Sequence, residues 1–67
     1  MLQLTVNGEA QQLPAACKLS EALHSLGYEG PGFAVALNGG FIPRHRYDAV
    51  RITGGEDMEV LAPMQGG

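Results

Sequence analysis

Leu19-Ser20-Glu21-Ala22-Leu23-His24-Ser25-Leu26-Gly27 carries the apolar period on which the reading of this chain turns. Leu19, Ala22, Leu23 and Leu26 are spaced i, i+3, i+4 and i+7, which makes one stripe on a helix. Gly27 stands where a left-handed C-cap belongs. Ser20 and Glu21 fall in the first turn, where a carboxylate favours the helix dipole. The start is weaker, because Cys17 and Lys18, the candidates for the cap position, are both poor N-caps. A helix with one apolar stripe must bury it against another layer.

The flanking segments supply that layer. On the N-terminal side Leu2, Leu4 and Val6 alternate with Gln3 and Thr5, the period of a strand with one buried face. Asn7-Gly8 follows, and both residues tolerate the positive φ of a type I′ turn. Glu9 to Leu13 is the return strand, stopped by Pro14. On the C-terminal side Tyr28 to Gly32 is a loop and Phe33-Ala34-Val35-Ala36-Leu37 a strand. Asn38-Gly39 is a second turn, and Phe41-Ile42 begins a short strand that Pro43 confines to a sheet edge. Arg44 to Asp48 is a polar connection, Val50 and Ile52 are candidate core residues, and Thr53-Gly54-Gly55-Glu56 turns into a final strand, Asp57 to Leu61. One helix across one mixed sheet of four to five strands satisfies this order. The fold class is therefore α+β, a β-grasp (ubiquitin-like) roll. The inner face is expected to carry Leu2, Leu4, Val6, Val35, Leu37, Met58 and Val60.

Size and charge narrow the function. Sixty-seven residues bury only about 60% of the surface exposed by the unfolded chain, and a deep catalytic cleft is hard to build at that size. A binding or carrier module is the expectation, not an enzyme. The single cysteine, Cys17, excludes an intramolecular disulfide. No apolar run is long enough to span a membrane, and the alternating N-terminus lacks the pattern of a signal peptide, so a cytoplasmic location is expected. A net charge of −3 argues against nucleic acid as a partner. His24, His45 and Cys17 are too scattered to make a metal site; no metal is expected.

Residues 1–61 read as the domain and 62–67, Ala62-Pro63-Met64-Gln65-Gly66-Gly67, as a flexible C-terminal tail. Read as the end of the chain, Gly67 carries a carboxylate on a tether leaving directly from a strand. The two glycines lack a Cβ and are thin enough for a narrow channel. Six extended residues span at most about 20 Å, enough to reach a partner's active site while the domain docks outside. Leu61, Ala34 and Ala36 are expected on the outer sheet face. With Pro63 and Met64 they form a candidate partner-binding patch beside the tail, and exposed apolar patches mark interfaces.

Taken together, several segments resemble the ThiS family of sulfur carriers. They are Asn7-Gly8 after the first strand, Leu19-x-x-x-Leu23-x-x-Leu26-Gly27, Val35-Ala36-Leu37-Asn38-Gly39, Ile42-Pro43-Arg44, Gly54-Gly55-Glu56-Asp57 and the terminal Gly66-Gly67. The likeness runs nearly end to end. It departs from the family pattern at Lys18, at the Gly54-Gly55 turn, at Met64 and at Cys17, and none of these touches the diglycine.

The resemblance implies a mechanism. Gly67 is adenylated by a ThiF-like adenylyltransferase, which uses ATP and magnesium while this chain binds no cofactor. A persulfide sulfur donor, such as a cysteine desulfurase, converts it to a thiocarboxylate. The sulfur then passes to a ThiG-like thiazole synthase in thiamine biosynthesis. Gly66, Gln65, Met64, Pro63, Leu61, Ala34 and Ala36 would bind the partners, and none of them would be catalytic. Other readings stay open: the small subunit of molybdopterin synthase, another ubiquitin-like carrier or modifier, or a non-catalytic β-grasp binding module. Arg44-His45-Arg46 with Arg51 is the basic cluster, either a solvated loop or a steering element for an acidic partner. Glu56, Asp57 and Glu59 read as a solvated acidic edge.

Overall fold

The structure, a computed structural model, describes residues 1–30 and 32–61. Strands β1 (Leu2–Val6) and β2 (Glu9–Leu13) form the first hairpin, β3 (Cys17–Lys18) leads into helix α1 (Leu19–Ser25), and β4 (Ala34–Leu37) and β5 (Gly40–Ile42) form a second hairpin. A 3-10 turn (Arg44–Arg46), β6 (Arg51–Ile52) and β7 (Asp57–Leu61) complete the order. The main sheet runs β2-β1-β7-β4-β5. Its central pair, β1 and β7, is parallel, and its other pairings are antiparallel. This is the mixed sheet with one crossing helix expected of a β-grasp roll, and it has five strands.

Both Asn-Gly turns adopt the backbone the sequence calls for: Asn7 and Gly8 have φ of 53° and 83°, Asn38 and Gly39 of 51° and 85°. Alternation then sorts the side chains. Leu4 and Val6 on β1, Val35 on β4, and Met58 and Val60 on β7 are buried against Leu19, Ala22 and Leu23 of α1, with Leu13 and Ile52 closing the core. Leu2 and Leu37 pack at its margin.

The helix ends as its sequence predicts. Gly27, at φ 94°, follows the C-cap Leu26. Its N–H donates to the His24 carbonyl at 3.1 Å, and the Tyr28 N–H donates to Leu23 at 2.9 Å. This pair of bonds is the Schellman pattern. The start shows how a poor cap is tolerated. Lys18, whose ammonium cannot accept a hydrogen bond, is the N-cap. The free helical donors find other acceptors: Leu19 N–H bonds the Val50 carbonyl at 2.7 Å and Ser20 N–H the Tyr47 carbonyl at 3.1 Å. The Glu21 carboxylate accepts from Lys18 N–H at 2.9 Å, and Ser20 Oγ donates to Asp48 at 2.5 Å.

That arrangement depends on a feature the sequence did not disclose. Residues 17–18 and 51–52 pair as a separate two-stranded ladder, Cys17 opposite Ile52 and Lys18 opposite Arg51. Two residues are too few to display a period of two, so neither segment announces itself as a strand. The ladder seats Ile52 in the core at 0% exposure and brings the Val50 carbonyl to the helix N-terminus.

Candidate functional site

The outer face of the sheet is set by register. Opposed residues on antiparallel strands share a face, and Leu61 lies opposite Ala34, Glu59 opposite Ala36, and Ala36 opposite Phe41. Val35, Val60 and Met58, one step out of phase, are the buried ones. Leu61, Ala34 and Ala36 are thus brought together on the side away from α1. Leu61 is 71% exposed, and Ala34 and Ala36 are half-buried.

Phe41 extends the same surface and is 67% exposed. The sequence reading missed it, although the signal was present: Ile42 packs on the core, so its neighbour on the strand must point outward. Across this face the apolar β4–β5–Leu61 side gives way to Glu59 and Asp57 on β7. Gly67, Gly66, Gln65, Met64 and Pro63 lie outside the described residues.

β7, which leads to the tail, is held at both ends by the asparagines of the two turns. Asn7 Oδ1 accepts from Val60 N–H at 2.9 Å and Asn7 Nδ2 donates to the Val60 carbonyl at 3.2 Å. At the other end Asn38 Oδ1 accepts from Asp57 N–H at 3.0 Å, and Asn38 N–H donates to the Asp57 carbonyl at 2.8 Å. Thr5 Oγ1 donates to the Asp57 carboxylate at 2.8 Å. The strand that presents Leu61 is therefore fixed by side chains as well as by its sheet neighbours.

Glu56 departs from the reading as a solvated acid. Its carboxylate turns back on the 53–56 loop and accepts from Thr53 N–H and Gly54 N–H, both at 2.8 Å, and from the Thr53 hydroxyl at 3.3 Å. Burial resists ionisation, but the backbone N–H groups of Thr53, Gly54 and Glu56 itself and the Thr53 hydroxyl outweigh it and hold the carboxyl below its ordinary range. The loop places Gly54 and Gly55 at positive φ, 113° and 86°; the Gly54 N–H turns to the carboxylate, while the Gly55 N–H donates to the Gln3 carbonyl at 2.7 Å.

The described residues offer little catalytic chemistry. An open depression of about 230 Å³ is lined by Gln3, Leu4, Thr5, Ala10, Gly55 and Glu56. Its ionisable group, Glu56, is already committed to the turn. Cys17 is half-buried, and burial pushes its thiol up, with Glu21 and Glu56 adding to the rise and Arg51 opposing it, which disfavours the nucleophilic thiolate. Among the described residues no group of three or more His, Cys, Asp or Glu could hold a metal ion, and no helix is long and apolar enough to cross a membrane.

Comparison with known proteins agrees with this fold and with the resemblance in the sequence. The model of the ThiS family matches residues 4–67. The chain belongs to the ThiS family. A crystal structure described as the thiamine biosynthesis protein ThiS from Geobacter metallireducens superposes with a TM-score of 0.83 at 30% identity, covering 98% of this chain and 100% of that one. A solution structure of a thiamine biosynthesis protein from the same organism gives 0.82 at 30% identity, covering 98% and 88%. No curated protein matched. In a ThiS-family chain the outer face carrying Leu61, Ala34, Ala36 and Phe41 is the candidate site.

Proposed function

We propose that this chain is a sulfur carrier of thiamine biosynthesis, a protein co-substrate and not an enzyme, loaded at Gly67. The observation that supports it most is the ThiS-family match, which runs through Gly66-Gly67. A terminal carboxylate, ionised at neutral pH with an ordinary pKa of about 3.5, is a poor electrophile and needs activation. In this reading it attacks the α-phosphate of ATP on a ThiF-like partner, giving an acyl-adenylate and pyrophosphate. The terminal sulfur of a persulfide donor displaces AMP to form an acyl disulfide. A second thiol then attacks the donor's own sulfur, forms a disulfide with it and releases the Gly67 thiocarboxylate. That group delivers its sulfur to a ThiG-like thiazole synthase.

This reading also assigns a division of labour. ATP, magnesium and every catalytic group belong to the partners. This chain contributes the carboxylate, the tether 62–67 and a docking face of Leu61, Ala34, Ala36 and Phe41. Appending one alanine after Gly67 tests the reading. A carrier moves its carboxylate out of register and loses adenylation altogether. A chain that is only a binding module retains its partner and its function, and that result would reject the proposal.

A further inference from the structure

The basic cluster is more ordered than a solvated loop. Pro43 caps the 3-10 turn Arg44–Arg46, closed by Arg46 N–H to the Pro43 carbonyl at 2.9 Å and Tyr47 N–H to Arg44 at 3.1 Å. Aromatic contacts fasten the turn to the root of β4. Phe33 stacks on Tyr47, with centroids 6.3 Å apart and planes 13° apart, and meets Tyr28 at 6.0 Å in a tilted pair. The Arg44 guanidinium lies over the Phe33 ring, its carbon 5.6 Å from the centroid. An arginine held by its face keeps its in-plane N–H donors directed outward, the geometry that fits a planar oxyanion.

Nothing within the described residues uses those donors for an ion pair. The pair found there is His24 with Glu29 at 3.7 Å, and among the described residues no carboxylate oxygen lies within 4.0 Å of a nitrogen of Arg44 or Arg46. In a chain of net charge −3 with four basic residues, two exposed arginines at one corner are a local reversal of sign.

The corner also sits where it matters for orientation. Ile42 lies opposite Val35, and Ala34 opposite Leu61, so the Ile42-Pro43-Arg44 run ends at the same end of the sheet from which β7 departs. The arginines therefore stand at the end of the sheet from which β7 departs, on the side of Phe33, which packs against the core, while Asp57 and Glu59 lie on the outer face further from that end.

We propose that Arg44 and Arg46 pair with carboxylate side chains of the protein on which the outer face docks, and so set the rotation that aims the tail at the partner's entrance. This rests on the carrier reading. A polyanion such as nucleic acid is disfavoured, because a chain of net charge −3 would repel it. Nucleotide phosphate is disfavoured too, because that reading brings ATP to Gly67 and not to the root of the tail. A complementary acidic rim accelerates encounter and fixes register more than it adds affinity.

The test is stopped-flow association of the full chain with the adenylating enzyme of the same organism, over a range of salt, with adenylation measured in parallel. Arg44→Gln/Arg46→Gln should associate about tenfold more slowly at low salt and converge on the wild type at high salt. Arg46→Gln alone, which leaves the Arg44–Phe33 contact intact, should slow it about threefold. Lys18→Gln removes the same unit of charge elsewhere and should stay within about twofold of the wild type. Equal rates and equal salt dependence for all four proteins, with the wild type adenylated, would overturn the arginine corner and leave the carrier reading standing. A wild type that neither binds nor is adenylated would overturn both.

Discussion

The side chain of Asn7 satisfies both backbone hydrogen-bonding groups of Val60, 53 residues further along the chain. β1 pairs with β7 at Thr5–Asp57 and Val6–Met58 and then turns away, so Val60 has no strand on that side. The primary amide, with one donor and one acceptor, takes the place of the next peptide group. Asn7→Gly keeps the positive φ without strain and removes both bonds. It should lower stability by about 1–3 kcal/mol, seen as a lower urea midpoint, with faster hydrogen exchange at the Val60 amide. An unchanged midpoint would make Asn7 a turn residue only.

Gly66 tests the narrow-channel argument. Gly66→Val adds a branched side chain where a partner must close on backbone. The fold, judged by the urea midpoint, should not change, while adenylation at fixed partner concentration should fall by about 100-fold or more. An unaltered rate would remove the steric argument and leave the chemistry at Gly67 untouched.

The apolar face makes a separate prediction. Leu61→Asp and Phe41→Asp alter side chains that are 71% and 67% exposed, so each should shift stability by no more than about 0.5 kcal/mol. Each should weaken partner binding by about tenfold or more. Titration calorimetry with the adenylating partner decides it, and an unaffected dissociation constant for both variants would take the docking site away from this face.

Glu56 sets the acid response. Its folded pKa lies below the unfolded value, so the unfolded chain binds more protons in the interval between them and stability rises with pH there. The contribution is complete above the unfolded value of about 4.3 and is lost as pH falls through the folded one. Glu56→Gln should be less stable than the wild type at neutral pH. The two urea midpoints should converge on acidification below about pH 4. A constant gap down to the acid limit would mean the carboxylate acts by shape and not by charge.

Much of this architecture is readable in the sequence because period and turn chemistry agree. The Leu19–Leu26 stripe, the alternation of β1 and β7 and the two Asn-Gly turns each specify an element without help from tertiary contacts. What escaped the reading is non-local. The Cys17–Lys18 and Arg51–Ile52 ladder is too short to show a period. Asn7 and Asn38 look sufficient as turn residues, so their second task, holding β7, leaves no separate trace. Glu56 reads as a surface acid until the loop N–H groups around it are seen, and Arg44 reads as a solvated cation until Phe33 is found beneath it. The candidate site was legible in part: the alternation placed Leu61, Ala34 and Ala36 on one face but did not draw Phe41 into it.

The measurement that bears most directly on the central claim is the intact mass of the chain after incubation with ATP, magnesium, the adenylating partner and a persulfide donor. The carrier account predicts a gain equal to one oxygen replaced by sulfur, localised by fragmentation to Gly67. An unchanged mass, with the partner shown to be active on another substrate, would contradict it.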